Sequence, residues 1–201
     1  MFDIHYFANI NYYIALSKTE TVVFAAALPY QKGWFKNKCV IASAAGELKL
    51  SVPLVGGRNQ NQLLKGVRIA YDQNWRHQHL RAIETCYGNS PFFDFYFLKF
   101  ENFFQKKFET LIELNLGAHE LIAEILKMNK PYSVQENLEK EIDILFSKKI
   151  GKEILIDDKV QSKYEQVFEN KIGFVKNLSI IDLIFCCGPQ AKELLNSSKQ
   201  A

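Results

Sequence analysis

Asn37-Lys38-Cys39-Val40-Ile41-Ala42-Ser43-Ala44-Ala45-Gly46-Glu47-Leu48-Lys49-Leu50-Ser51-Val52-Pro53 is the stretch that decides the fold class. Val40-Ile41-Ala42 is β-prone, residues 43–46 form a turn of small residues, and Leu48, Leu50 and Val52 then alternate with Glu47, Lys49 and Ser51. A period of two places one face on a core and the other in water, so the stretch predicts an antiparallel hairpin. Pro53 has no N–H to give the ladder and ends the pairing. Gly56-Gly57 and the polar residues 59–62 make a flexible connection placed to lie over a site. Beyond it Val67 and Ile69 flank Arg68, which predicts another strand over 65–70 with one wet face.

Upstream, Ile10, Tyr13, Ile14 and Leu16 are spaced for a short helix, followed by a strand over 21–25. Downstream, Asp72 or Asn74 caps a helix from Trp75 to Tyr87 that stops at Gly88-Asn89. Trp75, His79, Ala82, Ile83 and Cys86 share one stripe of that helix. From Phe92 to Phe104 aromatic residues surround most of the next helix, which predicts central burial rather than a base-stacking surface. Residues 111–126 continue the helical pattern with Gly117 as a weak point. Apolar density then falls, giving an exposed excursion over about 132–160 with one short strand at 153–156. The apolar run 178–187 predicts a core helix capped by Asn177 or Ser179 and closed by Gly188-Pro189. The whole is expected to be α+β: one domain over 1–201, with a mixed or antiparallel sheet near the N-terminal half and a mainly helical C-terminal half.

No apolar run is long enough for a membrane span, and Met1-Phe2-Asp3-Ile4-His5 lacks the basic and apolar regions of a secretory signal. A cytoplasmic location is expected. Cys39 and Cys86 stand alone and Cys186-Cys187 are adjacent, a spacing that suits neither a zinc site nor a disulfide scaffold. The cysteines read as core residues; Cys39 follows Lys36-Asn37-Lys38, where positive charge favours thiolate, but packing is again the expectation. No metal and no cofactor is expected.

The net charge of +3 conceals a dipole. Between Lys32 and Arg81 stand Lys32, Lys36, Lys38, Lys49, Arg58, Lys65, Arg68, Arg76 and Arg81 against only Glu47 and Asp72, and both tryptophans fall in the same window. Arg suits bidentate recognition of phosphate, and an indole offers a flat face to a ring. The window therefore points to an anionic small molecule containing a ring; the plainer account is a solvated basic face pairing with acidic residues elsewhere. His79, on the stripe with Trp75, is a candidate acid–base group if that stripe lines a cleft, and otherwise a core-edge histidine bonded to a carbonyl. His77 points to a different helix face, so the two do not share a metal. No phosphate loop or catalytic triad is present in the pattern.

Several separated blocks then resemble the WbqC-like family. They are Lys32-Gly33-Trp34-Phe35-Lys36-Asn37-Lys38, the strand ending Ser51-Val52-Pro53, Asn74-Trp75-Arg76-His77-Gln78-His79, Tyr87 with Pro91-Phe92-Phe93, and Asn177-Leu178-Ser179-Ile180-Ile181-Asp182-Leu183. The resemblance implies a role in making bacterial surface polysaccharide such as O-antigen. It carries no agreed catalytic residues. Many members have an Asp-Asp pair just before the Lys-Trp block, where this chain reads Ala25-Ala26-Ala27-Leu28-Pro29.

Charge pattern and resemblance together give the expected function. A transferase binds a phosphorylated or nucleotide-linked donor through Lys32, Trp34, Lys36, Asn37, Lys38, Arg68, Trp75 and Arg76, with His79 as base. The alternative is a non-catalytic module that holds an anionic glycan or nucleotide-linked intermediate. Nucleic acid is not expected as a partner.

Overall fold

A computed structural model describes residues 1–30, 35–57, 59–136 and 163–197. The excursion expected at 132–160 lies largely outside the described residues, as does the strand expected at 153–156.

The hairpin forms as the alternation predicts. Strand β2 (Lys38–Ser43) pairs antiparallel with β3 (Gly46–Ser51), in the register Lys38↔Ser51 to Ser43↔Gly46. Ala44 and Ala45 make the turn, the Ser43 hydroxyl donates to the Gly46 carbonyl at 2.8 Å, and Gly46 takes the positive φ (+110°) that the closure requires. Cys39, Ile41 and Leu50 face the core. A second small sheet is parallel: β1 (Val22–Ala25) pairs with β4 (Tyr132–Gln135), across more than a hundred residues of chain. The start of the expected excursion is therefore a strand, held on β1.

Helix α1 (Ile10–Ser17) starts at Asn9, whose side chain accepts from Tyr12 N. Helices α2 (Trp75–Tyr87), α3 (Phe93–Gln105) and α4 (Leu111–Ile125) follow one another, α4 entered through a reciprocal capping box between Thr110 and Glu113. The short α5 (Glu169–Ile172) leads to α6 (Ile180–Cys187) and α7 (Gln190–Ser197). The result is an α+β fold whose buried apolar side chains form one contiguous cluster.

Helix α6 is the core helix the apolar run predicts, and Ser179 is its cap. The Ser179 hydroxyl accepts from Ile181 N and donates to the Phe7 carbonyl at 2.7 Å, while its own N–H reaches the Val40 carbonyl at 2.7 Å. Asn177 instead adopts a positive φ (+54°) and accepts from Asn11 N at 3.0 Å. Asp182, fully buried within α6, accepts from the hydroxyls of Tyr87 (2.8 Å) and Tyr164 (2.5 Å) and from the Gln166 amide (3.3 Å). Three donors satisfy a carboxylate that would otherwise be prohibitive in an apolar helix.

Two expectations are corrected. Residues 65–70 are not a strand. Leu64–Gly66 forms a 3₁₀ turn, and Arg68 and Ile69 make single bridges to Thr110 and Leu54. The alternation of burial holds, with Val67 and Ile69 in and Arg68 out, but the two neighbours lie on different sides and no ladder can extend. Nor is α3 centrally buried. Only Phe100, Phe103 and Phe104 are, whereas Phe95 is 73% exposed and Leu98 62%. The first half of α3 runs past the edge of the core, so its ring of aromatics has neighbours on one side only. Gly117 is continuous with α4, its missing Cβ leaving room for the Phe108 ring.

Gly188 ends α6 with φ +52° and ψ −125°, a conformation open to glycine almost alone. A Cβ there would stand 2.3 Å from the Phe92 ring. Gly188→Ala is expected to destabilise the protein by roughly 2–4 kcal/mol, combining overpacking with the positive-φ penalty. Chemical denaturation of the two proteins measures it.

Candidate functional site

The chain from Phe2 to Ile10 is buried at every residue, though it is neither helix nor strand until Ile10. Its backbone is satisfied by neighbours. Phe2 N donates to the Val23 carbonyl, Tyr6 N to that of Phe35 (3.1 Å), and Ile180 N reaches the Ala8 carbonyl. Asp3 is 3% exposed and holds Lys36, itself 1% exposed, at 2.9 and 2.8 Å through its two carboxylate oxygens. Burial pushes the Asp3 carboxyl up, opposed by the Lys36 ammonium. His5 Nε2 lies 3.9 Å from Asp3, and burial with the nearby Lys36 charge pulls His5 down to about 3, so the ring is neutral.

Around Lys36 the chain is fixed from three sides. The Phe35 carbonyl accepts from Tyr6 N, the Lys36 carbonyl from the Asn115 amide (2.8 Å), and the Asn37 carbonyl from Val52 N (2.8 Å). The Asn37 amide also donates to the Val52 carbonyl at 2.9 Å. These bonds hold the entry to β2 in one conformation. On the other side of residues 31–34, Tyr30 N donates to the Gln62 carbonyl (2.9 Å) and Pro29 bridges Leu63, while Val55 N donates to the Arg68 carbonyl (2.9 Å). The described chain is thus tied to residues 62 and 63 before the basic block and to Val52 after it, while Arg68 is held by Val55, beyond the end of β3.

The candidate residues sort into two sets. Lys38 is half-buried with its ammonium 5.7 Å from the centre of the Phe35 ring, and Arg68 is exposed. Asn37 and Lys38 stand at the open end of the hairpin, and Arg68 is held by Val55, four residues past the end of β3. Lys32 and Trp34 lie outside the described residues.

The others are engaged elsewhere. Lys36 does not face solvent, because Asp3 draws its ammonium into the core. Trp75 is 2% exposed and packs edge-on against His79, so its ring offers no open face to a ligand. Arg76 donates through Nη1 to the carbonyls of Phe104 (3.3 Å), Gln105 (3.2 Å) and Lys106 (3.0 Å), the C-terminal carbonyls of α3, and lies over the Tyr71 ring. That is a helix-capping role, favoured by the negative end of the helix dipole.

His79 is the core-edge alternative rather than a cleft residue. It is 4% exposed, its Nδ1 meets the Tyr6 hydroxyl at 3.0 Å, and it bonds the Ser51 backbone. Burial lowers it to about 4. Cys39 is a core thiol, which burial pushes up despite the lysines beside it. Among the described residues no group of His, Cys, Asp and Glu is arranged to hold a metal ion.

Sequence reasoning missed Asp3, His5 and Asn115. Nothing periodic marks an irregular buried segment, and Lys36, followed by Asn37 and Lys38, carries no local sign that it is buried. Asp182 was more legible, being a lone charge inside an apolar run.

Two measurements test these assignments. Arg76→Ala is expected to lower stability by about 1–2 kcal/mol, the scale of a charge-assisted cap, and to leave anion binding unchanged; calorimetry and ligand titration read the two effects separately. His5, His79 and His119 are all buried and lowered, to about 3, 4 and 4. Their unfolded forms bind protons below about pH 6.5 while the folded forms do not, so stability falls as pH drops from about 6.5 towards 4. Between these limits each histidine contributes a slope of up to about 1.4 kcal/mol per pH unit. His79→Gln should flatten the measured profile of denaturation midpoint against pH by up to one proton's worth.

The WbqC-like protein family matches the chain over residues 4–157, a range that takes in the thread from Ile4, the hairpin and α1 to α4 and stops short of the Asn177 to Leu183 block. No curated protein and no solved structure matches the chain. No helix among the described residues is long and apolar enough to cross a membrane. With the match extending over most of its length, the chain belongs to the WbqC-like protein family.

Proposed function

We propose that the protein is a cytoplasmic transferase of bacterial surface-polysaccharide assembly that binds a phosphorylated, ring-containing activated donor at the open end of the hairpin. The observation that carries this reading is Lys38 following a backbone at 35–37 that Tyr6, Asn115 and Val52 hold fixed, with the exposed Arg68 fixed separately by Val55 and Thr110. Phosphate recognition gains from cations whose supporting chain is already ordered, because little conformational freedom is lost on binding. Asp3 and Lys36 act as positioning residues beneath that surface. Lys32 and Trp34 complete the donor site in this proposal, Trp34 stacking on the ring, and the cations stabilise charge on a departing phosphate.

A second reading, a non-catalytic binding module, is favoured by one observation. Both histidines near the site, His5 and His79, are buried and neutral, so neither presents a titrating group to a bound ligand.

Thermal-shift titration with nucleotide sugars, prenyl diphosphates and acyl-CoA tests the donor class, since a ligand of the folded state raises Tm by mass action. A diphosphate donor is expected to raise Tm. Lys38→Ala combined with Arg68→Ala is expected to weaken that donor by roughly 1.5–3 kcal/mol per lost charge-assisted bond without changing the melting temperature of the free protein. Unchanged affinity in the double variant would remove these residues from the site. Release of nucleotide on adding a glycan acceptor separates the transferase from the binding module.

A further inference from the structure

At the other end of the hairpin, roughly 17 Å from Lys38 at about 3.4 Å per residue, a cleft of about 640 Å³ opens between the turn and α2. That is within the usual size range of small-molecule pockets. One wall is the turn, Ser43, Ala44 and Ala45, with Leu48 of β3; Phe168 also lines it. The other wall is α2, which contributes two parallel rows at four-residue spacing. Gln78, Ala82 and Cys86 make one row, and His77, Arg81 and Thr85 the other. The cleft exists because residues 44, 45 and 82 are all alanine, so nothing from the turn or the middle of α2 fills it.

Its charge sets it apart from the other clefts described. The groove holding Arg76 includes Glu101, the one between α3 and α4 includes Glu120 and Glu124, and the one before α5 includes Glu165. Among the described residues no carboxylate lines the α2–turn cleft, and its charged or titratable lining groups are Arg81, His77 and the buried Cys86 thiol. Arg81 is exposed. Unlike Arg76 and Lys36, its side chain makes no hydrogen bond or ion pair among the described residues. An unengaged guanidinium, one helical turn from an imidazole and beside a floor of Leu48, Ala82, Cys86 and Phe168, is complementary to a particular ligand shape.

The geometry points to a binding site for an amphipathic anion, a single phosphate or carboxylate head on Arg81 and His77 with an apolar chain laid along Leu48, Ala82 and Phe168. This site is separate from the donor site and stands whether or not that proposal holds.

Calorimetric titration with octyl phosphate below its micelle concentration tests it. Saturable one-to-one binding is expected, with octyl glucoside and inorganic phosphate each at least about tenfold weaker, because head and chain each contribute. Arg81→Gln is expected to weaken octyl phosphate about tenfold, the scale of one charge-assisted bond. Ala82→Leu, which fills the cleft, should weaken it similarly, and Lys38→Ala with Arg68→Ala should have no effect. Octyl glucoside binding as tightly as octyl phosphate, or an unchanged affinity in Arg81→Gln at an unchanged melting temperature, would overturn the site. Phosphatidic acid vesicles separate a free amphiphile from a bilayer lipid: the protein is expected in the supernatant, and Arg81-dependent pelleting would overturn assignment to a free ligand.

Discussion

A stretch of irregular backbone runs buried through the middle of this protein, and its hydrogen bonds must come from whatever packs around it. Residues 2–9 have no helix or ladder of their own to supply partners, and an orphaned peptide group in a core is destabilising by about 1–3 kcal/mol. The neighbours are arranged accordingly: β1 takes Phe2, Phe35 in the chain leading to β2 takes Tyr6, and the N-terminus of α6 takes Phe7 and Ala8. Because the thread also carries Asp3, Lys36 is drawn inward with it. Removing one partner of such a pair would leave a buried charge uncompensated, which is far more damaging than losing both. The same pair removes Lys36 from the solvent-facing cations of the basic window.

One of the arginines that look like ligand chemistry in the sequence belongs to a helix end, and two lysines outside the basic window serve the same purpose. Helices α1, α3 and α4 have no basic residue in their last turns. Each receives a cation from a distant part of the chain instead. Lys130 reaches the carbonyls of Leu16, Ser17 and Thr19 beyond α1, Arg76 those at the end of α3, and Lys192 that of Lys127 after α4 (2.7 Å). An ammonium or guanidinium satisfies several orphan carbonyls at once and opposes the negative end of the helix dipole. A count of charges cannot distinguish this use from phosphate binding, because both need a cation near clustered oxygen atoms. Among the described residues of the basic window, setting aside the cap Arg76 and the ion-paired Lys36 leaves Lys38, Lys49, Lys65, Arg68 and Arg81.

Local signals carried well from sequence to structure. The hairpin register, the limits of α2 and the cap at Ser179 all follow from period, turn chemistry and side-chain oxygens within a few residues. What was not legible depends on distant partners. The parallel pairing of β1 with β4 joins segments that show no mutual pattern, and the aromatics of α3 look equally apolar whether or not a neighbour covers them. The stripe containing Trp75 and His79 was identified correctly, but a stripe facing a core and one facing a cleft have the same periodicity. Tyr6 and Ser51, which engage His79, decide between them, and neither is near it in sequence.

Asp182 has a topological consequence. Its tyrosine and glutamine donors come from α2 and from residues 164–166, so the chain from 163 onward is anchored in the core through Asp182. The last residues described before 137 are likewise moored, by β4 lying along β1. The polypeptide is therefore fastened independently on either side of 137–162, and the two flanking parts meet through a shared interior rather than through the peptide link alone. A molecule wired in this way is a natural candidate for assembly from two separately made fragments.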